Sequence, residues 1–561
     1  MDTNLTIPAK YSIMTRKSVE NIIRDYLADN LSIISSNLSL IQKEYYLPNR
    51  LGTRGFIDIL AKDNKNNYVI IEIKRSNEAS REALHEILKY VEALKQNKEV
   101  IESEIKVIIV STEWKELIVP FSSFANRVNF YIQGILIEVN DVNYPTSVKE
   151  ISPLKLKDER LFSPAHMIRL YKNKQNLQKG IESHTNTFRV KGIENFVLLI
   201  LTPSENHQDL VFPEYSQTIQ TLSSTLDIIN YSIEPYMIYS AFVRLSKEEY
   251  LEQIRKHPDY YEELLSSLEE ELSDNEIYSK YEDYLLDIKP YPYSDYVEIS
   301  YPSKFRHKLL EDEGWKIEEI QRFGTLKDNE LLKDSVILSE IAGKSGIDGA
   351  IFDCCSDSKD NAKIEEMKKG AKRVLCENKV WLNHIKLILE HHIESENKHS
   401  FDIALKIYSP NNILFSIYKQ IKENNNYLWL PCYKLSLYFS DKKQKSYFGT
   451  IEWNGKKADI DNLINKYYQG KPSSLALPVF WGGYEENNSH IMEELGFSFG
   501  TILYELVEKD VMIKYDFNAS NYCFVPTDTN RTPYDGINNF IFKNKDFVQR
   551  LIHHFESIPV V

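Results

Sequence analysis

The sequence predicts an α/β domain of order α-β-β-β-α-β at its N-terminal end, followed by a large α+β region. Three observations carry this reading. Apolar spacing over residues 16–140 switches between helical and strand periods in that order. The pattern then dissolves between Asn140 and Pro164, where Pro145, Pro153 and Pro164 fall among Asp, Asn and Lys, which marks a domain boundary. A chain of 561 residues also exceeds what one hydrophobic core supports, so roughly two to four domains are expected. The expected division is 1–155, 165–400 and 401–561.

The first element is a helix around Arg16 to Asp29, because Val19, Ile22, Ile23, Tyr26 and Leu27 fall on one face. Leu38 to Leu47 reads as a strand. Gly52-Thr53-Arg54-Gly55 is a flexible approach to a second strand, Phe56 to Lys62. Asp63-Asn64-Lys65-Asn66-Asn67 is turn chemistry, and Tyr68 to Arg75 is a third strand. Ser76-Asn77 caps a helix in which Leu84, Ile87, Leu88, Val91 and Leu94 recur at helical spacing. Lys106 to Ser111 is a fourth strand and Tyr131 to Val139 another. Residues 165–400 are expected to be largely helical and acidic, mixing strands with helices that carry Glu262-Glu263 and Glu269-Glu270-Glu271. Such runs are usually solvated helix faces. Residues 401–561 read as α+β, with a hairpin from Ser446 to Lys457 turning at Asn454-Gly455.

Composition narrows the class. Hydrophobic residues at 42%, charged residues at 27% and an abundance of Tyr (36) and Phe (25) belong to folded, globular protein. No run approaches the ~20 apolar residues that cross a bilayer, and the strongest, Phe196 to Leu201, suits a buried strand. Met1-Asp2-Thr3-Asn4 lacks the start of a signal peptide, so the expectation is a cytoplasmic protein with no membrane partner. Cys354, Cys355, Cys376, Cys432 and Cys523 form neither a CxxC pair nor a zinc spacing. The net charge of −14 rules out a general DNA clamp, since phosphates require local positive charge. Residues 1–150 are nearly neutral, however, with 19 Lys and Arg against 20 Asp and Glu.

The chemistry concentrates in Gly55-Phe56-Ile57-Asp58-Ile59-Leu60 and Val69-Ile70-Ile71-Glu72-Ile73-Lys74. A turn centred on Lys65 sets Asp58 opposite Glu72, with Cβ atoms roughly 4.5–5.5 Å apart. Two carboxylates that close repel unless a cation lies between them or one is protonated. Glu72 and Lys74 share a strand face, while Ile71 and Ile73 point the other way. Two acids and a lysine on one side of an apolar ribbon suit phosphodiester hydrolysis. Carboxylates hold Mg²⁺, with Mn²⁺ able to substitute, the metal activates water, and the lysine stabilises the transition state. The carbonyl of Ile73 is a further candidate ligand.

These two segments, continuing into Arg75, resemble the PD-(D/E)XK nucleases, and among them the nuclease domain of NucS-type endonucleases. The resemblance spans residues 16–140. It implies a restriction-endonuclease-like core, divalent metal and cleavage of DNA. It also implies a glutamate on the first helix, where Glu20 stands, and a Gln followed four residues later by Tyr after the lysine. Here Glu86 replaces that amide and Tyr90 fits. Arg50, Arg54 and Arg75 flank the catalytic strands as candidate phosphate contacts.

Other motifs carry less. Gly343-Lys344-Ser345 resembles the tail of a P-loop, but Leu338 stands where the loop's first glycine belongs. His384, His391 and His392 lack the His-Glu-x-x-His spacing of a metalloprotease. Trp481-Gly482-Gly483-Tyr484 reads as an aromatic turn. The expected function is therefore a Mg²⁺-dependent DNA endonuclease, plausible as a homodimer. Its large acidic body would serve recognition, regulation or protein contacts, an arrangement that suits restriction or anti-phage defence. The competing expectations are a nuclease-fold binding or regulatory protein, and a ribonuclease.

Overall fold

The computed structural model describes residues 18–48, 55–74, 77–154, 160–204, 236–268, 272, 274–306, 314–395, 400–423, 429–440, 443–475, 485–507, 511–528 and 530–557. The chain divides into two compact units, Met1–Asp158 and Glu159–Val561.

The first unit begins with helix α1 (Val19–Asp29), capped by Ser18, whose side chain accepts the Asn21 N–H. Strands β1 (Ser39–Leu47), β2 (Gly55–Lys62) and β3 (Tyr68–Lys74) follow, then helix α2 (Asn77–Lys98), β4 (Ile105–Ser111), helix α3 (Ile118–Ala125), β5 (Tyr131–Val139) and β6 (Pro145–Ile151). The six strands form one sheet in sequential order, with β3–β4 and β4–β5 parallel and the other pairs antiparallel. Helix α1 covers one face, where Ile23 and Leu27 pack on Ile59, Ala61, Val69, Ile71, Ile73 and Val110. Ile87, Tyr90, Val91 and Leu94 of α2, with Phe121 of α3, pack on Ile57, Leu60, Ile70, Val107 and Ile109 of the other face. A central parallel strand buried on both faces calls for an unbroken apolar run. Glu72 is the one interruption of Val69–Ile73.

Strand β6 lies where the sequence showed only loss of pattern. It is an edge strand whose polar residues come in adjacent pairs, Thr146-Ser147 and Lys149-Glu150, and Pro145 starts it at a position where a missing N–H is tolerated.

The β2–β3 register is set by the turn at Asp63. This buried carboxylate accepts N–H groups from Lys65 and Asn67 and the Asn67 side-chain amide, and pairs with Lys106 at 2.8 Å. The pairs then run from Lys62↔Tyr68 to Ile59↔Ile71, in the register the turn placement implied, and end one residue short of Asp58 and Glu72.

In the second unit β7 (His166–Tyr171), β8 (Phe196–Pro203), β9 (Tyr236–Phe242), β10 (Tyr296–Ser300) and β11 (Trp315–Arg322) form an antiparallel sheet of order β10-β7-β9-β8-β11. A second sheet is a sequential antiparallel meander: β12 (Ile351–Asp357), β13 (Asp402–Tyr408), β14 (Cys432–Tyr438), β15 (Gln444–Trp453), β16 (Phe497–Val507), β17 (Val511–Asn518) and β18 (Cys523–Pro526). Two expectations are corrected. Strand β12 pairs with β13 along its whole length, so the meander crosses the division expected at residue 400, and 165–400 contains a full five-stranded sheet. Asn454-Gly455 does not close a hairpin. The Asn454 N–H bonds to the Gly496 carbonyl, Gly455 takes φ +87°, and the chain leaves the sheet for helix Ile460–Tyr467. Glu262 and Glu263 are solvent-exposed on helix Pro258–Ser267, while Glu269–Glu271 lie outside the described residues.

The Asp63 interactions hold its carboxyl far below the ordinary carboxylate range: burial pushes it up, but the Lys106 ion pair and the amide donors outweigh that. A depressed acid stabilises the fold above its unfolded pKa of ~3.9, and that contribution is lost as pH falls through the folded value. The stability difference between wild type and Asp63→Asn, measured by urea denaturation, is therefore expected to be full at pH 7 and to shrink below about pH 4. A difference independent of pH would show that the carboxylate does not hold the turn.

Candidate active site

Beyond Ile59↔Ile71 the pairing of β2 with β3 stops. Asp58 then bonds through its side chain: Oδ2 accepts the Ile73 backbone N–H at 2.8 Å. Glu72, only 2% exposed, receives the Lys74 ammonium at 2.9 Å, and the same ammonium reaches Glu86 on α2 at 2.6 Å. Tyr90, one helical turn after Glu86, donates its hydroxyl to the Phe56 carbonyl at 2.8 Å and so ties α2 to the start of β2. Gly55 packs closely there: a Cβ would stand 3.1 Å from the Tyr90 ring, which would have to give way.

The electrostatics are strained. Burial lifts the Asp58 carboxyl to about 6 against the pull of the Ile73 N–H, Lys74 and Arg24, and the charge of Glu20 adds to the lift. Glu20 on α1 is therefore close enough to act on Asp58. Burial, and then the Asp58 charge, push Glu72 well above its ordinary value. For Lys74, burial acts downward, but the Glu72 and Glu86 carboxylates outweigh it and keep the ammonium charged. Glu86 is in turn held low by Lys74 in spite of partial burial.

The residues fit a hard divalent cation. Glu72 Oε2 is buried without a hydrogen-bond partner. Among the described residues no group of three or more His, Cys, Asp or Glu could hold a metal unaided. The available set is thus two carboxylates, with the Ile73 carbonyl and solvent, which suits Mg²⁺ because that ion keeps several waters.

The structure therefore brings together Asp58, Glu72, Ile73, Lys74, Glu86 and Tyr90, with Glu20 near them. Arg50, Arg54 and Arg75 lie outside the described residues. Arg24 and Glu44, absent from the sequence reading, also border the site: Arg24 is buried on α1 and donates to Glu44 at 2.7 Å. The only sequence signal was that Arg24 stands one turn after Glu20. The motifs set aside stay aside. Leu338 lies in helix Asp334–Ile341, His384 bonds to Thr501 and His392 to Tyr447 inside the core, and residues 481–484 lie outside the described residues.

Residues 19–118 match the family described as Endonuclease NucS C-terminal domain. The N-terminal unit resembles a NucS-type nuclease domain. Endonuclease NucS of Methanocaldococcus jannaschii is 30% identical over 101 residues, which are 18% of this chain and 35% of that protein. The chain thus spans about a third of the length of this NucS relative. A crystal structure of a repair endonuclease from Pyrococcus abyssi is similar at 16% identity and a TM-score of 0.16, over 22% of this chain and 48% of that one. Asp58, Glu72, Lys74, Glu86 and Tyr90 all fall inside the NucS match.

An acid whose folded pKa is raised stabilises the fold at low pH, and that contribution is lost as pH rises from its unfolded to its folded value. For Asp58 the window is about pH 4 to 6. In the presence of a chelator, Asp58→Asn is expected to gain thermal stability over wild type as pH rises through that window, by at most ~3 kcal/mol for a shift of about two units. A melting-temperature difference that stays flat between pH 4.5 and 7 would count against a strained carboxylate.

Proposed function

We propose that the N-terminal unit is a divalent-metal-dependent endodeoxyribonuclease of the PD-(D/E)XK class, with a restriction-endonuclease-like core. One observation carries this reading: Asp58, the half-satisfied Glu72 and a charged Lys74 meet where β2 and β3 part. The match of residues 19–118 to the NucS domain supports it.

Asp58 and Glu72 would hold Mg²⁺ or Mn²⁺, with the Ile73 carbonyl as a third protein ligand. A divalent ion there supplies a water of lowered pKa and neutralises charge gathering on the phosphate. The chain's own groups do the rest. Asp58 is held by the Ile73 N–H, so it meets the metal without searching rotamers. Lys74, kept protonated between Glu72 and Glu86, presents donors to the attacking water and to the phosphate oxygens. Tyr90 holds α2, and with it Glu86, against β2. Glu20 adds negative charge from the α1 side.

DNA is the proposed substrate, with Arg50, Arg54 and Arg75 as phosphate contacts. One centre cuts one strand, so cutting both strands calls for a second copy. On this reading the unit from Glu159 onward supplies recognition, regulation or protein contacts, as befits restriction or anti-phage defence. Among the described residues no helix is long and apolar enough to cross a membrane.

The test is cleavage of linear, circular and single-stranded DNA, and of RNA, with Mg²⁺ or Mn²⁺. Asp58→Ala, Glu72→Ala and Lys74→Ala are each expected to lower the rate by about two orders of magnitude or more. Cutting that survives all three substitutions would remove the assignment. Preferential cutting of RNA would change the substrate and keep the site.

A further inference from the structure

Asp58 leaves the ladder because both strands are kinked at one level. In the β1–β2 register Lys43 pairs with Ile59 and Tyr45 with Ile57, so Glu44 stands opposite Asp58. Glu44 has φ +48°, a left-handed conformation that a glutamate rarely adopts and that glycine adopts freely. The kink is visible in the packing. In a regular strand Ile57 and Ile59 would share a face. Here Ile57 joins the core under α2, while Ile59 joins the core under α1. The face switches at Asp58.

A left-handed non-glycine residue persists only where its surroundings impose it. Here α1 imposes it. Arg24, 8% exposed, donates Nη1 to Glu44 Oε1 at 2.7 Å and to Asn21 Oδ1 at 3.1 Å, and its Nη2 lies 3.3 Å from Asp25. Lys43, the neighbour of Glu44, reaches Asp25 at 3.1 Å. The α1 side chains thus grip β1 at the kink and at the residue before it, and the charge of Arg24 is felt at Asp58.

We propose that Arg24 is a positioning residue for the nuclease centre: by holding Glu44 left-handed it sustains the paired kink that turns Asp58 out of the ladder and onto the Ile73 N–H. The consequence for catalysis rests on the nuclease reading given above, whereas the positioning itself does not.

The two are separated by following residue-resolved amide exchange at Ile73 alongside DNA cleavage, both on the full chain. Glycine at position 44 keeps the kink without the clamp; alanine does not. Glu44→Gly is therefore expected to cut at least tenfold faster than Glu44→Ala. Arg24→Met is expected to lower kcat at least tenfold with KM little changed, Arg24→Lys to restore part of it, and Glu44→Gly to suppress Arg24→Met in the double variant. Protection of the Ile73 amide follows the same order. Equal loss in Glu44→Gly and Glu44→Ala, or unchanged Ile73 protection in Arg24→Met, would overturn the proposal. If Arg24→Met does not fold, the glycine–alanine pair at 44 decides alone. If the wild type cuts nothing, Ile73 protection still decides the positioning, and the nuclease reading falls separately.

Discussion

The first unit depends on the place where two paired strands separate. From the turn at Asp63 to Ile59↔Ile71, β2 and β3 satisfy one another's backbone. Past that level the Ile73 N–H has lost its strand partner inside a buried layer, and an unmet buried donor costs about 1–3 kcal/mol. Asp58 meets it with a carboxylate oxygen. A structural requirement thereby fixes a reactive group, and the fixing sets Asp58 beside Glu72 and Lys74. The acid is held more firmly than a solvated side chain would be, because releasing it would unsatisfy the backbone of the central strand.

That arrangement concentrates charge in a place that disfavours it. Asp58, Glu72 and Glu86, with Glu20 nearby, surround one ammonium, while Arg24 stands on the α1 side. In a medium of low effective dielectric, repulsion among the acids is not screened as it would be in water. Each carboxylate has a local partner, yet Glu72 keeps one oxygen unmet. A fold optimised for stability alone would fill the Glu72 position with an aliphatic residue, as its neighbours in β3 are. The retained imbalance is what supports the proposed cation site over a simple ion-pair network.

Much of this was legible in the sequence because it rests on short-range rules. The turn residues around Asp63, the two-residue period of the strands and the fixed sum of a hairpin register together give the β2–β3 register up to Ile59↔Ile71, the level next to Asp58 and Glu72. Glu86 and Tyr90 are four apart on an amphipathic helix and so face the same side of the sheet, Glu86 toward Lys74 of β3 and Tyr90 toward Phe56 of β2. The unread part lies where tertiary contacts override local preference. No propensity marks Glu44 as left-handed, since its conformation is imposed by Arg24 from twenty residues away. Pro145 and the lack of a two-residue period in β6 conceal a strand that needs only one pairing edge. Asn454-Gly455 does not form the expected hairpin, because Asn454 stays bonded to Gly496, in line with the β15–β16 pairing, and the chain then leaves the sheet.

The second unit was less legible for a related reason. Its polar side chains are largely spent inside the fold: His166 on Tyr239, His384 and Tyr433 on Thr501, His392 on Tyr447, and Tyr468 on Glu485. Burial depresses His166, His184 and His392 to about 3, so these imidazoles are neutral and act as fixed donors and acceptors at physiological pH. In the sequence they are loose histidines and tyrosines with no spacing rule, because their partners lie on other elements, from 17 to 117 residues away. Groups committed in this way specify one packing arrangement. In the first unit, by contrast, the carboxylate of Glu72 on the central strand keeps one buried oxygen without a partner beside Lys74.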